Sequence, residues 1–130
     1  MTATSSFAAN PSGWVDRYFT DVDTMDPAAI LAWYVDEEPS FRFASAPPTV
    51  GKPAITAMFG EFFSTLTGMS HARTGFWSNT QSAVFEADVT FGMIGRSVKL
   101  PCASILRLDA NDRIKDFRML MDVAPLFTAI

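Results

Sequence analysis

The hydrophobic pattern of this chain changes period once, near Gly68. Before that point apolar residues recur three and four apart, as in Trp14, Val15, Tyr18, Phe19 and Val22, and again in Ile55, Met58, Phe59, Phe62, Phe63 and Leu66. From Met69 onward they recur at every second position, in runs near 69–78, 82–92, 97–109 and 113–122. The first spacing lines one face of a helix and the second one face of a strand. Helices first and sheet afterwards is an α+β layout, with helices covering one face of the sheet. At 130 residues the chain is long enough to close one core and too short to require a second.

Punctuating residues divide the pattern. Ser12, just after Pro11, reads as the cap of a first helix that ends near Asp23. Asp26 before Pro27 reads as a cap and first-turn proline of a second, short helix, with Ile30, Leu31, Trp33 and Tyr34 as its buried stripe. A short strand is expected over Pro39 to Ser45, around Phe41 and Phe43, ended by Ala46-Pro47-Pro48. Gly51-Lys52-Pro53 opens the third helix, and Gly68 stands where a left-handed C-cap is expected for it. Turn chemistry at 92–95 and 109–112 joins the last strands as an antiparallel meander. Residues 1–10 read as a loose, flexible leader and residues 11–130 as one domain.

Composition excludes several classes of function. A net charge of −4 with ten scattered basic residues offers no surface for neutralising phosphates, so no nucleic-acid partner is expected. Cys102 is the single cysteine and can form no internal disulfide, which makes a reducing cytoplasm the expected compartment. No apolar run is long enough for a membrane span, and the first ten residues lack the pattern of a signal peptide. One His, one Cys and dispersed carboxylates give no metal-ligand set, and no glycine-rich phosphate loop is present, so neither metal nor cofactor is expected. Twelve Phe and seven Met are more than a small core needs. Part of that apolar surface is expected to line a cavity.

The segments DEEPSFRF at Asp36 to Phe43, PPTVGKPAI at Pro47 to Ile55, GMSH at Gly68 to His71, LPCASILRL at Leu100 to Leu108 and IKDFRMLMDVAPLF at Ile114 to Phe127 carry a resemblance. They resemble the SnoaL-like polyketide cyclase group of the nuclear-transport-factor-2-like superfamily, which also holds ketosteroid isomerase, scytalone dehydratase and limonene epoxide hydrolase. The resemblance covers about residues 14 to 128. It implies a cone-shaped, cystatin-like fold: three N-terminal helices packed on a strongly bent, mixed or antiparallel sheet around an apolar pocket. It also implies a homodimer, paired through the open face of the sheet. One such cone hosts many chemistries, so the reaction has to be argued from the site.

Residue by residue, the resemblance selects some activities and rejects others. The charged pair of the epoxide hydrolases would fall near Ala87 and Val89, and their second acid near Met119; none of these can serve. Tyr18, in VDRYF, matches the oxyanion-hole tyrosine of ketosteroid isomerase, where a phenol donates to a developing enolate. The isomerase's general base would fall at Arg42 or Phe43, which cannot abstract a proton. Its second oxyanion donor falls at Ala103 or Ser104, and alternation with Leu106 and Leu108 turns Ser104 inward.

His71, the single histidine, falls where the dehydratase has one of its two catalytic histidines. Asp122 shares a face with Asp116 and Arg118, away from Met119 and Met121; a twist at the strand end would instead let it accept the ring N–H of His71 and orient it. His71, Asp122 and Tyr18 are therefore the candidate catalytic residues. Ser104, Trp33, Phe59, Phe63, Phe85 and Met119 are the candidate binding residues.

Two functions fit. One is cofactor-independent proton transfer on a hydrophobic carbonyl compound, of isomerase, cyclase or dehydratase type. The other is a non-catalytic module that binds a small hydrophobic molecule or supports dimerisation.

Overall fold

The computed structural model describes residues 6–127. Helices α1 (Ser6–Ala9), α2 (Pro11–Val22) and α3 (Pro27–Leu31) come first, followed by β1 (Ser40–Phe43), β2 (Thr49–Val50) and α4 (Lys52–Phe63). The sheet continues through β3 (Gly68–Ser78), β4 (Ser82–Met93), β5 (Arg96–Leu108) and β6 (Ile114–Leu120), and the described chain ends in a short turn of helix, α5 (Ala124–Phe127). The six strands form one sheet in the order β2-β1-β6-β5-β4-β3. All neighbours are antiparallel except β1 and β6, which run parallel. The expected α+β layout and mixed sheet are thus present.

Local chemistry sets the helix ends. The cap of α2 is Asn10, whose side-chain oxygen accepts from the Gly13 amide at 3.1 Å, two residues ahead of the expected Ser12. Asp26 caps α3 as expected, accepting from the Ala28 amide at 3.1 Å with Pro27 in the first turn. Helix α4 stops at Phe63, short of Leu66 and Gly68. The Ser64 and Thr65 hydroxyls donate back to the carbonyls of Glu61 and Phe62, and the Thr67 amide already donates to Gly92 O at 2.8 Å. The chain has therefore entered the ladder before Gly68, which is the first residue of β3 and no helix cap.

The segment expected to be a loose leader is in part structured. Residues 6–9 form α1, and Phe7 is fully buried, edge-on to the Trp14 ring at 5.5 Å. Its amide donates to Asp112 Oδ2, which ties α1 to the turn before β6. Residues 1–5 and 128–130 lie outside the described residues.

Register decides which side chains face the helices. Phe43, Met119, Ser104, Phe85 and Phe76 stand in one row across five strands, all on the inner face. Ser104 is consequently 3% exposed although it is polar. An extra residue in β3, Thr74, shifts the register between Arg73 and Gly75. Such a bulge switches the face on which later side chains emerge. Ahead of it His71 faces inward opposite Val89; after it Trp77 pairs with Val84 on the outer face, 58% and 41% exposed. A Cβ at Gly75 would stand 2.8 Å from Glu86 Oε1 and 2.9 Å from the Trp77 ring, so a larger residue there would have to displace these side chains. Among the described residues, no helix is long and apolar enough to cross a membrane.

Candidate functional site

The inner face of the sheet and the helices do not close completely. Between them lies a cavity of about 200 Å³. Helix α4 contributes Met58, Phe59, Phe62 and Phe63; β1 contributes Phe41 and Phe43; β3 and β4 contribute Met69, His71, Val89 and Phe91. Met119, Met121, Val123 and Phe127 complete the wall from the C-terminal side. Among the described residues, His71 is the one polar residue in this lining. A smaller space of about 20 Å³ lies beside it and shares Val22, Phe41, Phe59, His71 and Met119. Its further walls are Tyr18, Phe19, Cys102, Ser104 and Phe117. That volume suits a group about the size of one water or one carbonyl oxygen.

His71 is held from behind. Its Nδ1 lies 2.6 Å from Asp23 Oδ1, and its backbone amide donates to Asp23 Oδ2 at 3.1 Å. Its ring stacks on Phe19, with centroids 4.3 Å apart. An ionised carboxylate can only accept, so Nδ1 carries a proton, and in the neutral ring it is Nε2 that keeps the lone pair. His71 lines both spaces, and a neutral imidazole fixed in this tautomer is a proton acceptor in an apolar wall.

The phenols of Tyr18 and Tyr34 meet at 2.7 Å with both side chains buried. Burial pushes both well above the ordinary tyrosine range, partly offset at Tyr18 by the hydrogen bond to Tyr34. Both therefore stay protonated at any ordinary pH. One hydroxyl donates to the other. When Tyr34 donates, the Tyr18 proton is left for whatever enters the small space. Ser104 Oγ lies 3.5 Å from Cys102 Sγ and offers a second hydroxyl to the same space. Burial raises the Cys102 thiol, an effect reduced by its contact with Ser104, so it is no ready nucleophile.

The structure thus brings His71, Tyr18, Ser104, Phe59 and Met119 together around one space, with Phe63 in the wall of the larger cavity. Three expected site residues stand elsewhere. Asp122 is exposed, on the far side of the sheet in a recess beside Glu86 and Asp88; it accepts from the Ala124 amide at 3.0 Å and so begins α5. Strand alternation, undisturbed at the end of β6, is the reason. Trp33 donates from Nε1 to Asp21 Oδ2 at 2.7 Å and packs edge-on to Trp14 and Tyr18, outside both spaces. Phe85 is core, wedged against Phe19 and Phe117. Among the described residues, no group of three or more His, Cys, Asp or Glu side chains could hold a metal ion.

The residue that sequence reasoning missed is Asp23. It follows α2 directly, where the carbonyl ends of a helix disfavour an anion, and no basic residue lies in the last turn to compensate it. An aspartate so placed needs a cationic or hydrogen-bond-donating partner from elsewhere in the fold. That local misfit was the available signal.

The family model of the SnoaL-like domain matches residues 15–117. The chain belongs to the SnoaL-like family. Solved structures agree in fold. A putative SnoaL-like polyketide cyclase from a Jannaschia species superposes with a TM-score of 0.79 at 15% identity, covering 100% of this chain and 97% of that one. A protein with a ketosteroid isomerase-like fold from Catenulispora acidiphila, solved in complex with trimethylamine, gives 0.74 at 13% identity, covering 85% of each chain. TerC, co-crystallised with polyporic acid, gives 0.74 at 11% identity, covering 89% of this chain and 94% of that one. At such identities the likeness is one of fold. No curated protein matches the sequence at a significant level.

Proposed function

We propose that the chain binds a small hydrophobic carbonyl compound in its cavity and moves a proton on it without a cofactor. The observation that carries this reading is the 2.6 Å contact between His71 Nδ1 and Asp23, which leaves the opposite ring nitrogen available in the cavity wall. In the proposed step His71 Nε2 takes a proton from the carbon alpha to the carbonyl. The C–H bond breaks, its electron pair becomes the C=C bond of an enolate, and the negative charge goes to oxygen. Tyr18 and Ser104 line the smaller space, and in this reading their hydroxyls donate to that oxygen; donors aimed at developing charge are the usual means of stabilising it. Return of the proton from His71 to a conjugated carbon completes an isomerisation; in a cyclisation the enolate carbon instead attacks a second carbonyl, whose oxygen takes the proton, and return to the same carbon is exchange alone.

Size limits the ligand. An apolar cavity of roughly 150 Å³ accepts benzene, so a somewhat larger one takes a molecule of one or two rings. β-Tetralone is a suitable probe. Wild-type protein is expected to accelerate exchange of its alpha protons in D₂O, followed by NMR, and His71→Gln to lose most of that acceleration while keeping the wild-type melting temperature and β-tetralone affinity. Equal exchange by the variant would remove His71 from the mechanism.

A second reading, a binding module without catalysis, is favoured by the lining itself, in which His71 is the lone polar residue among those described. Binding of β-tetralone without accelerated exchange by the wild type would select it.

A further inference from the structure

We infer that Arg96 is a positioning residue that holds the C-terminal wall of the cavity shut and so sets how fast a ligand leaves. Arg96 opens β5 directly after the tight turn at Gly95, whose φ is +79°. Its guanidinium donates from Nη2 to Leu126 O at 2.6 Å and reaches Pro125 O from both Nη1 and Nη2 at 3.4 Å. Among the described residues no salt bridge joins Arg96 to a carboxylate. Its charge is directed at two backbone carbonyls 29 and 30 residues later in the chain.

Those carbonyls belong to α5, which has four residues and cannot sustain itself, since a single helical turn lies below the length at which propagation repays nucleation. Among the described residues the anchors of the turn include the Asp122 carboxylate under the Ala124 amide, the Leu126 side chain at 2% exposure, and the Arg96 guanidinium. Val123, just before the turn, and Phe127, its last residue, line the cavity. Phe127 is 64% exposed, so burial does little to keep it over the cavity. Arg96 grips the carbonyls of the two residues immediately before it. Without that grip the last turn exchanges its protein partner for water, and the wall at Phe127 swings away.

The inference rests on the cavity being a ligand site, and the test separates the two claims. Prodan, a neutral two-ring ketone dye, is bound to the full chain and its release followed by stopped-flow fluorescence. Amide hydrogen exchange is measured over 121–127 in the same proteins. Arg96→Ala is expected to release prodan roughly tenfold faster, the change associated with losing one charge-assisted hydrogen bond. It should also raise exchange in the C-terminal turn alone. Arg96→Lys, which keeps a cationic donor, should recover part of both effects. Arg96→Gln serves in place of the alanine variant if that one fails to fold. Release at the wild-type rate, or exchange unchanged over 121–127, overturns the inference. Absence of prodan uptake by wild-type protein would sink the ligand-site reading and the role in release with it, while amide exchange would still decide whether Arg96 holds the turn.

Discussion

Asp23 and Asp122 are both carboxylates next to the ends of elements, and the structure gives them opposite tasks. Asp23 contacts the ring and the backbone of His71, whereas Asp122 turns its side chain to the outer side of the sheet and begins a short helix. Asparagine at 23 can present either an acceptor or a donor to the imidazole, so it no longer fixes the tautomer. Asp23→Asn is expected to lower β-tetralone exchange by about 10²-fold, the scale of a general acid–base contribution, and Asp122→Asn to leave it unchanged. Matching losses in the two variants, measured by the same NMR exchange, would break the assignment. The inward position of Ser104 and the outward position of Asp122 were both readable from strand alternation. The partner of His71 was not, because it lies 48 residues earlier across a contact that periodicity does not encode. Nor could spacing separate Phe85 and Trp33 from the pocket wall. An aromatic on an inner face looks the same in sequence whether its far side meets another ring or a cavity.

Elements were legible where their period was long and blurred where tertiary bonds set their ends. The four long strands appear close to their expected limits, while α4 stops a turn early because the chain after it is already paired with β4. Helix α1 went unseen because a lone Phe7 in a polar stretch has no period; its anchor is a hydrogen bond from the Phe7 amide to Asp112, 105 residues away. Full burial nevertheless makes Phe7 part of the core. Phe7→Ala should therefore cost about 3 kcal/mol of stability, the lower end for removing a buried ring, read as a lower urea midpoint. A midpoint like that of the wild type would mean that α1 docks too weakly to matter.

At the scale of the whole molecule, the buried phenol pair ties stability to alkaline pH. Tyr18 and Tyr34 are the only tyrosines, and both titrate above their ordinary value of 10.0 when folded. Below pH about 10 both states hold these protons and the stabilisation is fully present; above it the unfolded chain ionises first and the stabilisation is progressively lost. The loss approaches at most about 1.4 kcal/mol per pH unit for each phenol. Melting temperature should fall steadily above that pH, tyrosinate absorbance should appear only with unfolding, and Tyr34→Phe should flatten the slope. Tyrosinate forming before the melt would place the pair in contact with solvent. The bulge at Thr74 bears on how any such change is watched. By turning one indole into water while Trp14 stays sealed and Trp33 only partly covered, it gives the protein two kinds of intrinsic emitter. Trp77 emits to the red and is within reach of a soluble quencher, so its light reports the outer face while the bluer light of Trp14 reports the interior. Shielding of one surface and loosening of the other can be distinguished by colour, without attaching a label.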